Sequence, residues 1–385
     1  MEFYKKILLA IVIIILTYIL WHFIKRRQEI LLKMENMQTN ETNETNETNE
    51  TNETNKNVIE GLSFGFGLPT QDAELATLKN KSLVTIKNTT LVDLPLIEYC
   101  IMGSYNSTFT GNYINADMIK YLLSRGCRFF DLEIYYILDQ KTNAYSPHVG
   151  YSIDPTFTIL ASENTVLLDT ILTTINNNAF ISLNAQGGSP NNGDPIFINL
   201  RIKSSNTDVY DAVAKSIDAK LLNNLYSGEV TNKTKLSKIM GSIVIILDNT
   251  IDPNYAQYTN CKGKPQPCYD LTKYVNMESG GSELNITTYL PLTNQCTTPV
   301  TILDNMFNTD ISRMKMAYPD LVPATTQNPV IKDFITKYNC QILPNRFYYN
   351  DANLAQYEKL FNQNKFAIVP IAMILQYYVK NPYTI

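Results

Sequence analysis

Gly126 to Tyr135 reads GCRFFDLEIY, and the upstream stretch Leu96 to Thr108 reads LIEYCIMGSYNST. In the first, an apolar run entered through a glycine carries two carboxylates, Asp131 and Glu133, spaced two apart. In the second, a run starting near Ile97 gives way to small and polar residues, where Tyr105 and Asn106 stand side by side. Short apolar runs bounded by Gly, Pro, Asn or Asp read as strands. A helical pattern from Asn115 to Ser124 joins the two runs, and the alternation continues downstream. Strand-like runs start near Pro147, Ile196, Ile243, Ile311, Gln341 and Phe366, with helical patterns at Leu167 to Ile175, Val209 to Leu222 and Asn353 to Phe361. Eight strands with intervening helices imply an α/β chain, with a (β/α)8 TIM-type barrel as the working architecture. The stretch from Asn254 to Pro291 reads as an irregular excursion. On this reading, residues 251–291 form a linker between a first half over 94–250 and a second half over 292–375.

Working outward, globular composition extends from about Val58 to Ile385, so the barrel domain spans 58–385. Ahead of it, Asn40 to Thr54 repeats Asn-Glu-Thr, which has nothing to bury; residues 38–57 read as a solvated tether. Each repeat also matches the N-glycosylation acceptor pattern, beginning at Asn40, Asn43, Asn46, Asn49 and Asn52. Further upstream, Ile7 to Ile24 carries no charge and is almost wholly apolar. A helix of that length just spans a hydrocarbon core of roughly 30 Å at about 1.5 Å per residue. A cleaved secretion signal has a shorter apolar stretch followed by small residues, whereas here Lys25, Arg26 and Arg27 follow. Residues 1–37 therefore read as one N-terminal transmembrane helix with a short juxtamembrane extension. This places the protein at a membrane, of a virion or of a host cell. Basic residues on both flanks leave the side of the domain open.

The chain has 385 residues and a formal net charge of −4, with no basic footprint of the kind that nucleic-acid binding needs. Of its six cysteines, Cys261 and Cys268 flank a Lys/Gly/Pro-rich loop and would close a short disulfide in an oxidising compartment. Cys100, Cys127 and Cys340 sit in or beside apolar runs and read as buried free thiols. The ligand set argues against a zinc site. There is no Cys-x-x-Cys pair, and His22 and His148 are the only histidines.

The two opening stretches are followed, in order, by PHVGY from Pro147, PIFINLRIK from Pro195, SRMKMAYPD from Ser312, YNCQILPNRF from Tyr338 and FNQNKFAIVP from Phe361. This order resembles the X and Y regions of phosphoinositide-specific phospholipases C. In that reaction the inositol 2-hydroxyl attacks the neighbouring phosphodiester, which needs a base, an acid for the leaving oxygen and positive charge at the phosphate. The resemblance implies that His148 is the family's second histidine, the general acid. It implies that Asn106, Asp131 and Glu133 are calcium ligands. Tyr105 stands where the first histidine belongs, and Arg201 where the last calcium carboxylate belongs. A guanidinium there repels calcium, so the expected affinity is low and no other cofactor is implied. Two readings of Arg201 stand open: a direct contact to substrate phosphate, as in bacterial relatives, or an internal ion pair with Asp131 or Glu133.

The family's fifth-strand lysine is missing, its candidates here being Ile246 and Asp248, and Met316 replaces an expected arginine. Tyr318 persists as the residue that would stack on inositol, with Lys315 as the nearest candidate phosphate ligand. The expectation is a membrane-anchored phospholipase C-like domain with a degenerate site, binding a phosphoinositide head group or a protein partner. The alternative is a working calcium-free phosphodiesterase that uses His148 and Arg201, with Tyr105 as a hydrogen-bond donor.

Overall fold

A computed structural model describes residues 69–79, 84–139, 143–154, 160–184, 187–259, 261, 267–296, 312–321 and 327–381. All belong to one unit, Pro69–Ile385. The anchor read over 1–37 and the tether over 38–57 lie outside the described residues. Among the described residues, no helix is long and apolar enough to cross a membrane.

In chain order the first half carries α1 (Gln71–Lys79), β1 (Tyr99–Ile101), β2 (Gly103–Ser104), α2 (Asp117–Ser124), β3 (Phe129–Asp139), β4 (Ala144–Gly150), β5 (Val166–Leu167), α3 (Leu168–Asn178), β6 (Ile196–Ile202), α4 (Asp208–Leu221) and β7 (Ile243–Asp248). The second half carries α5 (Tyr255–Thr259), β8 (Met277–Ser279), β9 (Leu284–Thr288), α6 (Tyr289–Cys296), β10 (Met314–Tyr318), α7 (Lys332–Thr336), α8 (Ala352–Asn364), β11 (Ile368–Pro370) and α9 (Ile371–Lys380).

Strands β2, β3, β6, β7, β8, β9 and β10 follow one another as parallel neighbours. Residues 342–345 stand between β10 and the β1–β2 segment, joined by the isolated bridges Met316 to Ile342, Ile101 to Ile342 and Ser104 to Asn345. The fold is thus mixed α/β and TIM-barrel-like, with bridges rather than a continuous ladder at this seam. Every residue of β6 and β7 is buried, as their unbroken apolar runs require of strands covered on both faces.

Three sequence expectations change. The run at Pro147 is β4, which folds back antiparallel on β3 as a hairpin and takes no place among the parallel strands. The run at Phe366 is β11, which pairs antiparallel with β1. The stretch from Asn254 to Pro291 is not simply irregular, because it contains β8 and β9. These are short and separated only by residues 280–283, where Gly280 takes a φ of 84°, so neither helical spacing nor a long run marks them.

The glycine that opens GCRFFDLEIY has a specific task. The N–H groups of Gly126 and Cys127 donate to the carbonyls of Leu123 and Leu122, the paired bonds that stop a helix through a left-handed residue. Gly126 has a φ of 87°, and a β-carbon there would meet Ile86 Cδ1 at 2.9 Å. The turn ends α2 and starts β3 at the register that pairs Asp131 with Asn199 and Glu133 with Arg201. Behind it, Arg128 is fully buried and donates to the carbonyls of Ala179 and Asn191 and to Ser189 Oγ.

Candidate active site

Side chains two apart on a strand share a face, and residues in register on parallel neighbours share it too. Asp131 and Glu133 on β3 therefore face the same interior as Asn199 and Arg201 on β6. Arg201 fills the space between them. Its Nε donates to Asp131 Oδ1 at 2.8 Å and its Nη2 to Asp131 Oδ2 at 2.6 Å. Nη2 also donates to Asn106 Oδ1 at 2.8 Å, and Nη1 pairs with Glu133 Oε1 at 2.8 Å. Asn106 reaches this position because it ends the first strand segment with a φ of 43°, a conformation asparagine tolerates better than most residues.

The remaining carboxylate capacity is also taken. Asp131 Oδ1 accepts from Asn199 Nδ2 at 3.1 Å, and Oδ2 from the Asn106 N–H at 3.0 Å. Glu133 Oε1 pairs with Lys203 Nζ at 3.0 Å, while Oε2 accepts from Tyr135 OH and the Ser152 N–H, each at 2.9 Å. Both Asp131 oxygens and Glu133 Oε2 thus accept two hydrogen bonds each, while Glu133 Oε1 lies against two cations and is held by charge without hydrogen-bond geometry. Tyr105 and Tyr318 lie over the guanidinium, their ring centroids 4.7 and 5.4 Å from Arg201 Cζ. Tyr318 also accepts a hydrogen bond from Asn199 Nδ2.

Two cations and two anions make this cluster neutral, and it is sealed. Asp131 and Glu133 are 0% exposed, Arg201 5%, Lys203 4% and Tyr105 3%. Burial alone would raise the pKa of Glu133, but Arg201 and Lys203 outweigh it and hold the carboxyl below its ordinary value. Burial would lower the pKa of Arg201, but Asp131, Tyr105 and Glu133 together raise it well above normal. Burial pushes the Tyr105 phenol upward against the pull of Arg201, so it is a neutral phenol at physiological pH. Asp248, at the end of β7, is buried too and its pKa is raised, chiefly by desolvation.

Residues 92–246 match the family model "Phosphatidylinositol-specific phospholipase C, X domain". Among solved structures, PLC21 of L. pealei is similar at 14% identity and a TM-score of 0.53, with 73% of this chain and 38% of that one covered. PLC21 of S. officinalis gives the same identity and score over 74% and 38%. The chain therefore spans under two-fifths of the length of these relatives, and at this identity they speak to fold alone. A search of curated proteins finds no match. Residues 92–246 therefore form a PI-PLC X-domain-like region, set in a PI-PLC-like phosphodiesterase fold.

As a PI-PLC-like domain, it carries the expected residues in altered company. The structure brings Tyr105, Asn106, Asp131, Glu133, Arg201 and Tyr318 together. His148 lies on the β4 hairpin opposite Tyr135, its ring nitrogens each 3.0 Å from Ser146 Oγ and Thr165 Oγ1. Lys315 is the correction: three residues before Tyr318 on β10, it stands on the opposite face, and its Nζ donates to the Tyr338 carbonyl. Met314 and Met316 share the face of Tyr318 instead. Likewise Ile246 is in register with Asn199, so an aliphatic side chain occupies the inward position of that strand.

Calcium does not fit the residues present. Its three implied ligands, Asn106 Oδ1, Asp131 and Glu133, already bind Arg201, and Lys203 adds a second cation at Glu133. A divalent ion taking six to eight oxygens would have to displace both. Sequence reasoning missed Lys203 and Asn199. The signal was available in PIFINLRIK, where Asn199, Arg201 and Lys203 alternate at the strand period exactly as Asp131 and Glu133 do.

Proposed function

We propose that this PI-PLC-like domain is a catalytically silent scaffold, held at a membrane by its N-terminal segment and acting through binding or structural contacts. The observation that carries the reading is the neutralisation of Asp131 and Glu133 by Arg201 and Lys203, with neutral donors on their other oxygens. A general base must reach substrate with its charge uncompensated, and a phosphodiester anion needs uncompensated positive charge. The cluster offers neither, and Asp248 adds a further carboxyl nearby rather than the lysine the chemistry calls for. Tyr105 supplies a neutral phenol in place of an imidazole. The Cys261–Cys268 disulfide supports a domain facing an oxidising compartment, where the Asn-Glu-Thr tether would be open to glycosylation.

The test is hydrolysis of phosphatidylinositol by the full chain, with added calcium and with chelator, beside a His148→Ala variant. The expected result is no release of inositol phosphate above the variant in either condition. Release that the variant loses would overturn the proposal, and its persistence in chelator would assign the activity to Arg201 without metal. Glycosidase sensitivity of the full chain made in a eukaryotic host reads the side of the membrane, an unshifted band counting against the lumenal or exterior placement.

A further inference from the structure

A second buried guanidinium lies at the same end of the fold as Arg201, and its circumstances are the opposite. Arg346 directly follows residues 342–345, whose bridges tie them to the first strand segment and to β10. It is 2% exposed. Among the described residues its Nη1 and Nη2 reach only the carbonyls of Gln327 and Asp320, both at 3.3 Å, and its Nε has no partner. No carboxylate among the described residues pairs with it, a lack it shares with Arg128, whereas Arg125 is paired with Glu358 at 2.7 Å and Arg201 with two carboxylates. Arg128, however, makes three shorter bonds to neutral acceptors where Arg346 makes two long ones. Buried charges are ordinarily paired, and a buried donor without an acceptor calls for an explanation.

The surroundings are phenolic. Burial pushes the hydroxyls of Tyr151, Tyr289 and Tyr348 upward, and in each case the Arg346 guanidinium pulls the other way. Tyr289 donates to the Pro344 carbonyl, beside the arginine's own strand. Tyr151 and Tyr348 pack around Phe109, with ring centroids 4.3 and 4.8 Å from it. The acidic groups that face the cluster are Asp320, which accepts from the Leu290 N–H, Asp351, which accepts from the N–H groups of Asn328 and Leu354, and Glu133, spent on Arg201 and Lys203.

We infer that Arg346, with Tyr151 and Tyr348 beside it, forms a site for a phosphate group. A guanidinium presents Nε–H and Nη–H in a fork that matches two phosphate oxygens, and phenols add hydrogen-bond donors. The two carbonyl contacts, at the long end of hydrogen-bond range, are those a phosphate would exchange most readily. Arg201 cannot play this part because its charge is spent on Asp131 and Glu133. The inference stands apart from the silence of that centre, since it concerns a cation the centre does not contain.

The phosphate has two possible sources, a soluble anion or a lipid head group, and the experiment separates them. The full chain in phosphatidylcholine nanodiscs is titrated with inorganic phosphate, and in parallel placed in nanodiscs that contain phosphatidylinositol 4-phosphate. The thermal midpoint and the arginine Nε–H resonances are followed. Wild type is expected to rise in midpoint and shift one Nε–H resonance in at least one arm, which names the source. Arg346→Lys, which keeps the charge and loses the fork, should weaken the apparent affinity at least roughly tenfold, and Arg346→Gln should abolish the response. No response of the wild type in either arm overturns the inference without any variant having to fold. An unchanged affinity in Arg346→Lys overturns it as well.

Discussion

Replacing Arg201 by glutamine removes four short contacts from one buried cluster: two to Asp131, one to Glu133 and one to Asn106. It leaves Asp131 and Glu133 facing a single cation, Lys203, so the interior gains one uncompensated negative charge. Breaking a buried ion pair by deleting one partner costs about 3–5 kcal/mol, chiefly because the other partner is stranded. Asp131 keeps Asn199 and the Asn106 N–H, and Glu133 keeps Lys203, Tyr135 and Ser152, which places the expected loss within that range rather than above it. Equilibrium urea unfolding of the full chain in detergent micelles measures the loss, and near-ultraviolet circular dichroism reports the tyrosines packed on the guanidinium. Adding Asp131→Asn should restore part of the stability, with a coupling energy of about 0.5–3 kcal/mol between the two sites. A loss in Arg201→Gln no larger than the roughly 0.5 kcal/mol of an ordinary surface substitution would refute the reasoning. If phosphoinositide hydrolysis vanished in the same variant, Arg201 would be a phosphate ligand instead.

Other perturbations probe the same interior from different directions. Desolvation raises the folded-state pKa of Asp248 above its unfolded value near about 3.9, so its favourable contribution is present below that value and is lost as pH rises through the folded pKa. Asp248→Asn should therefore match wild type in unfolding midpoint near pH 3.5 to 4, by about the unfolded pKa, and exceed it at neutral pH; an equal difference at both would count against the assignment. At the rim, Glu74 of α1 accepts from the Asn112 N–H at 2.7 Å and from its Nδ2 at 3.3 Å, tying the helix to the loop that follows Tyr105 and Asn106. Glu74→Ala should speed hydrogen exchange at the Asn112 amide about tenfold, the equivalent of one lost bond of about 1.4 kcal/mol, and unchanged exchange would show that the loop holds without the helix.

Much of the local architecture was legible in the sequence because it rests on local rules. The helices read over Asn115 to Ser124, Leu167 to Ile175, Val209 to Leu222 and Asn353 to Phe361 appear at Asp117–Ser124, Leu168–Asn178, Asp208–Leu221 and Ala352–Asn364. Each has an apolar stripe at helical spacing, and the last is started by the Asp351 side chain accepting from the Leu354 N–H. Pairing partners were less legible. The runs at Pro147 and Phe366 are strands, yet nothing within them says that they pair antiparallel, because direction depends on which edge is free when the chain returns.

The sequence by itself determined which chemical groups are at hand: a tyrosine in place of an imidazole, an arginine in place of a carboxylate, and alternating polar residues in GCRFFDLEIY and PIFINLRIK. The two readings it left open for Arg201 differ only in whether the guanidinium has positive charge to spare. Only the tertiary structure decided that. The register of β3 against β6 places Glu133 beside Arg201 and Asp131 beside Asn199, across roughly seventy residues of chain, and among the described residues no carboxylate pairs with Arg346 at the seam of residues 342–345. Charge in a buried site is a sum over neighbours brought together from distant strands, and alternation along one strand fixes a side chain's face without saying what waits there.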